Sequence, residues 1–172
     1  MNLISKGKAA TLNNSKYILF EFPLNVEPLN IYDIVFDMLS YKMVPILAHP
    51  ERYSFVQDEP NLIFELIRNG VMIQSNYGSI LGRYGERAKK TIERLLENDM
   101  VHFLGSDVHR PGTIYPDIPD ALSEIEFFCG EEKLNELTTI NPGCILENKD
   151  IEIEQPKKIV YNLKDKMRFK FK

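Results

Sequence analysis

Short apolar runs recur along the chain at nearly constant spacing, starting at Tyr17, Val44, Val71 and Val101, which are 27, 27 and 30 residues apart. That interval is the length of one strand-plus-helix unit. The stretches between the runs carry helical rather than alternating periodicity. Residues 31–42 place Ile31, Ile34, Val35, Met38 and Leu39 on one face. Residues 59–68 have Pro60 near their start and Asn69-Gly70 as a stop signal, and residues 85–98 turn Ala88, Ile92, Leu95 and Leu96 inward. After the fourth run, 101–105, two shorter helices are expected over 120–128, ended by Gly130, and 131–137, followed by a turn at Asn141-Pro142. Strands alternating with helices imply an α/β fold with a parallel sheet. A complete (β/α) barrel takes about 250 residues, so a chain of 172 predicts one domain whose sheet is open or part of a barrel short of strands.

Composition narrows the function classes. A 44% hydrophobic content suits a sizeable core, and a net charge of -4 gives no reason to expect a nucleic-acid partner. No apolar run approaches the roughly 20 residues that span a bilayer, and Met1-Asn2-Leu3-Ile4-Ser5-Lys6-Gly7 lacks a signal-peptide pattern. Cys129 and Cys144 are too few for a disulfide scaffold and read as buried thiols. Together these features predict a soluble, reduced, cytoplasmic protein, not an integral membrane one. The lysine-rich end, 155–172, reads as a solvated tail or edge strand.

Metal-binding residue types sit where the apolar runs stop: Glu21, His49, Asp107 and His109. In βα folds the carboxyl ends of the strands carry the chemistry. His49 precedes Pro50, which favours extended backbone before it, and Arg52 supplies a planar, permanently charged fork suited to phosphate. Its bland reading is a structural hydrogen-bonder. Ser106-Asp107-Val108-His109 alternates two ligand types, so both side chains can lean to one side of an extended segment. An aspartate with a neutral imidazole suits a divalent ion such as zinc, manganese or iron. Alone, Asp107 also reads as a cap or turn residue; His109, Arg110 and Gly112 in the same loop favour the functional reading. Glu21, between Phe20 and Phe22, reads either as a ligand or as half of a buried ion pair with Arg52 or Lys16. His102 reads as a core or supporting residue, Gln74 and Asn76 as residues past the third strand that orient ligands or bond the backbone, and 77–85 as a flexible rim loop.

Three segments in order, Leu12-Asn13-Asn14-Ser15-Lys16-Tyr17-Ile18-Leu19-Phe20-Glu21-Phe22, Ala48-His49-Pro50-Glu51-Arg52-Tyr53 and Ser106-Asp107-Val108-His109, resemble the motifs of one group. This group is the bacterial metal-dependent tyrosine-protein phosphatases of capsule and exopolysaccharide loci, within the polymerase-and-histidinol-phosphatase (PHP) superfamily. The resemblance runs from about Thr11 to about Lys149. It implies a distorted (β/α) barrel and a trinuclear site, usually of manganese, with iron or zinc as alternatives. By resemblance Glu21 and His49 share one metal, Asp107 binds a second and His109 a third. Arg52 contacts the phosphoryl group and, more loosely, Arg110 does too. Arg52, Asp107 and His109 are then the catalytic set, and the substrate is the phosphotyrosine tail of a polysaccharide-assembly tyrosine kinase.

Members of that group begin with a His-x-His strand and carry further ligands ahead of the Glu21 segment, whereas residues 1–20 here hold no histidine. The resemblance therefore implies the later two-thirds of the domain, an incomplete metal site and an exposed sheet edge open to homo-oligomer formation. Two other readings stand beside it: a catalytically inactive, partner-binding remnant, and another PHP-type activity such as a histidinol-phosphate phosphatase.

Overall fold

The computed structural model describes residues 10–110 and 115–161; Gly112 and the last part of the lysine-rich tail lie outside them. Four strands form one sheet: β1 (Tyr17–Phe20), β2 (Val44–Ala48), β3 (Met72–Asn76) and β4 (Phe103–Gly105). All neighbours are parallel, in the order β1-β2-β3-β4, with Leu19 beside Ile46, Ile46 beside Met72 and Gln74 beside Phe103. A doubly wound sheet reverses its strand order at a switch point. This sheet does not, and its sequential order is the arc of a barrel.

Alternation along each strand explains why the sheet is apolar on both faces. Leu47 and Ile73 point into the larger core with Ile31 and Val35 of α1 (Ile31–Ser40), Ile63 and Leu66 of α3 (Asn61–Arg68), and Ile92 and Leu95 of α5 (Glu86–Glu97). Their neighbours Ile46 and Met72 face the other way, into a smaller cluster with Tyr17, Phe103 and Ile145. That second face is covered by α7 (Asn141–Leu146), which continues from the helical turn Glu136–Ile140, so Asn141-Pro142 lies within helix where a turn was expected. The buried Asn141 amide donates to the His102 carbonyl at 2.9 Å.

Other expectations are corrected by tertiary contacts. The helix expected over 59–68 forms as α3, and a short helix that the pattern did not predict, α2 (Ser54–Asp58), precedes it, with Pro60 between the two. The segment expected to be a flexible rim loop begins as α4 (Tyr77–Ile80), with Gly78, Ser79 and Ile80 buried. The helix α6 (Ile118–Asn135) is interrupted at Gly130, whose φ of 82° a side chain would resist, in keeping with the expected stop there. Residues 157–161, expected as solvated tail or edge strand, pack on the helices instead: Ile159 is buried and exchanges two hydrogen bonds with Asn61 (2.9 and 3.1 Å). Cys129 and Cys144 are half-buried rather than buried. Among the described residues no helix is long and apolar enough to cross a membrane.

Candidate active site at the carboxyl ends of the strands

Glu21, His49, Asp107 and His109 all line one cleft of about 620 Å³ on the open face of the sheet. A smaller recess of about 310 Å³ is lined by the same four with Arg52, Phe22, Pro23 and Leu24. β1 ends by delivering Glu21, β2 by delivering His49, and the loop after β4 delivers both Asp107 and His109; at His49 and Asp107 the backbone does so under strain. His49 is left-handed (φ 37°) and Asp107 likewise (φ 50°). Both findings correct the extended backbone expected before Pro50 and through Ser106–His109. Non-glycine residues pay for this region with local strain, a pattern that clusters at functional sites. At His49 tertiary bonds override the proline preference. Its N–H donates to the Gln74 carbonyl at 2.6 Å and its carbonyl accepts from Arg52 N–H at 3.0 Å, opening a 3-10 turn over Pro50–Arg52.

That turn sorts its residues by direction. Glu51 points inward and is fully buried, its Oε1 accepting from the Asn76 N–H (2.9 Å) and the Ser79 hydroxyl (2.6 Å). Burial pushes its carboxyl above the ordinary range, and Oε2 has no partner. Arg52 points outward to pair with Asp107 Oδ2. Asn76 Nδ2 donates to that same oxygen at 3.1 Å, and His109 Nε2 lies 3.1 Å from Oδ1. Gln74 Nε2 in turn donates to Asn76 Oδ1 at 2.9 Å. Gln74 and Asn76 are inside β3 rather than past it. Their alternate positions put both on the cleft face, and Asn76 orients the Asp107 carboxylate.

Glu21 is neither buried nor paired with Arg52 or Lys16. Its side chain is 68% exposed and accepts a hydrogen bond from His49 Nε2 at 3.0 Å; Lys16 pairs with Asp150. The buried phenol of Tyr53 holds these two strand ends together, donating to the Ala48 carbonyl (2.9 Å) and accepting from the Phe22 N–H (3.0 Å). Burial pushes that hydroxyl's pKa up. Tyr53 and Glu51 escaped the sequence reading as site residues, although both stand in the segment that carried the resemblance. Their place on either side of Arg52 in that segment was the available signal.

The donor set fits a divalent cation in kind: imidazole nitrogen and carboxylate oxygen. His49 Nδ1 is buried without a hydrogen-bond partner, a lone pair that nothing in the protein satisfies. In number the set is sparse. It forms two pairs, Glu21 with His49 and Asp107 with His109, and no group of three or more candidate ligands is gathered for one ion among the described residues.

The family described as "Capsular polysaccharide synthesis, CpsB/CapC" matches residues 1–147. Among relatives, the tyrosine-protein phosphatase YwqE of Bacillus subtilis is 31% identical over 156 residues, covering 91% of this chain and 61% of that protein. The tyrosine-protein phosphatase CpsB of Streptococcus agalactiae is 32% identical, covering 80% and 59%. A solved structure from work on YwqE of Bacillus subtilis and CpsB of Streptococcus pneumoniae, described as unique metal-dependent tyrosine phosphatases, superposes with a TM-score of 0.85 at 31% identity. It covers 93% of this chain and 64% of that one. The chain thus spans about 60% of the length of these relatives.

Proposed function

Because this chain belongs to the CpsB/CapC family of capsular polysaccharide synthesis, we propose that its cleft hydrolyses phosphotyrosine, acting on the tail of a tyrosine kinase that governs polysaccharide assembly in the cytoplasm. The observation that carries this reading is the meeting of Arg52, Asp107 and His109 beside the Glu21–His49 pair at the strand ends. Glu21, His49, Asp107 and His109 would hold divalent cations, manganese by preference. A bound ion supplies Lewis acidity at the phosphoryl group and a more acidic water.

The chain's own side chains account for the rest. Arg52 offers a planar fork to the equatorial phosphoryl oxygens, whose charge is the chief electrostatic demand of phosphoryl transfer. Asp107, fixed by Asn76, sets where that fork sits. His109 is 85% exposed at the cleft, and either Asp107 or His109 would assist the departing phenolate. Phe22, Pro23 and Leu24 give the adjacent recess an apolar wall against which an aryl ring can lie. By resemblance Arg110, next to His109 in the sequence, would be a second phosphate contact. We take residues 11–149 as the working domain.

One observation favours a second reading, a non-catalytic phosphotyrosine binder: each metal-type pair has two donors, and affinity depends on ligand count. The two are separated by assaying p-nitrophenyl phosphate with and without manganese. Turnover stimulated by manganese and abolished in His49→Ala and Asp107→Ala is the expected result. No turnover, with a phosphotyrosine peptide still bound in an Arg52-dependent way, would establish the binder instead.

A further inference from the structure

The segment from Tyr77 to Gly85 reaches the site at two adjacent residues. Ser79 donates to Glu51, and the ring of Tyr84 lies under the guanidinium of Arg52, 4.2 Å from carbon to centroid. Asp107 holds the same guanidinium at its edge through Nη1. We propose that Tyr84 is a positioning residue for phosphate binding: it covers one face of the Arg52 guanidinium and so fixes the plane in which its N–H donors meet a phosphoryl oxygen. The inference rests on the phosphatase reading of the cleft.

The segment is built to hold that ring still. Arg83 N–H donates to the Gly78 carbonyl and Gly85 N–H to the Gly82 carbonyl, each at 3.0 Å. The Arg83 side chain pairs with Asp117 at the start of α6. Gly82 and Gly85 take φ of 74° and 93°, conformations that let the chain turn tightly on either side of Arg83 and Tyr84. Gly78 leaves the space that the ring fills, since a Cβ there would lie 3.1 Å from Tyr84 Cε2. Chemistry favours this support for an arginine. Guanidinium is weakly hydrated on its faces and stacks on aromatic rings while its edge keeps all five donors in plane. An edge held by a carboxylate and a face held by a ring leave the long side chain little rotamer freedom to lose when phosphate arrives.

The test reads the stack without needing turnover. In the full chain, the Arg52 Nε–Hε signal is assigned by its loss in Arg52→Lys and then titrated with inorganic phosphate. A ring-current displacement of that signal is expected in the wild type and in Tyr84→Phe, and not in Tyr84→Leu. Phosphate affinity is expected to fall about threefold to tenfold in Tyr84→Leu, the range for losing one such stack, and to recover to within about twofold in Tyr84→Phe. A Tyr84→Leu protein that binds phosphate like the wild type, or an undisplaced Arg52 signal in the wild type, overturns the role of Tyr84 alone. A wild type that binds no phosphate, while its Arg52 signal is displaced, overturns the phosphatase reading and this inference with it.

Discussion

His102 is enclosed just before β4, and it shows how one side chain can set the pH range of the whole fold. Its Nδ1 accepts the Ile73 N–H at 3.0 Å, so the ring's proton sits on Nε2, a buried atom with no partner. Burial, helped by the nearby Lys133 ammonium, pulls its pKa from 6.5 down to about 3. The sign follows from proton counting. Between those values the unfolded chain binds a proton that the native ring refuses, so acidification favours unfolding. Stability should be level above pH 6.5 with respect to this group, fall as pH drops below it by up to about 1.4 kcal/mol per unit, and level again near pH 3. His102→Asn keeps a carbonyl oxygen near the Nδ1 position and removes the titration. Urea midpoints between pH 4 and 8 should show the wild-type advantage over the variant shrinking steadily below pH 6.5; parallel curves would mean that another group carries the acid sensitivity.

At the scale of elements, the β3–β4 pair turns tight packing into site geometry. Gly105, paired with Asn76, has no room for a side chain: a Cβ would lie 2.5 Å from Gln74 Nε2. Gln74 holds Asn76, and Asn76 holds Asp107. Gly105→Ala should therefore cost about 1–3 kcal/mol of stability through overpacking and loosen the Asp107 carboxylate. Adding Gln74→Ala should give back part of that loss, a coupling between contacting positions measurable in a double-mutant cycle; additive effects would show that the two do not collide. The four strands and the helices α1, α3 and α5 were legible because burial imposes a period that needs no knowledge of the rest of the chain. What was not legible depends on distant partners. The left-handed turn at His49 is held by Gln74, the α4 helix in place of a rim loop is held by contacts to Glu51, and the helix at Asn141 is held by the His102 carbonyl. The four residues read at the strand ends line one cleft, but the ion pair read as an alternative for Glu21 is not formed. Partner choice between Glu21, Lys16 and Arg52 turns on side-chain reach across strands, which local pattern does not encode.

On the scale of the molecule, β1 pairs only with β2 among the described residues, and apolar side chains are exposed on both faces of the sheet. Leu19 of β1 is 45% exposed, and Phe36 on the outer surface of α1 is 70% exposed, with Tyr32 and Leu39 one turn to either side. A helix buries such residues on a second face when something packs there, and parallel strands are ordinarily enclosed. A strand edge without a partner, with exposed apolar side chains in the same molecule, is a template for pairing and association. We therefore expect this chain to self-associate through the β1 edge, two copies placing their β1 strands and α1 helices together in an isologous contact. Light scattering at roughly 10 µM, the micromolar range at which an interface worth about 8 kcal/mol would be half-formed, should give a dimer mass. Leu19→Lys, which sets a charge on β1, and Phe36→Glu, which sets one on α1, should each return the mass to that of one chain while leaving it folded, since both residues are exposed. A monomer at that concentration would show that the edge is tolerated as it stands; a dimer unaffected by either substitution would place the contact elsewhere on the surface.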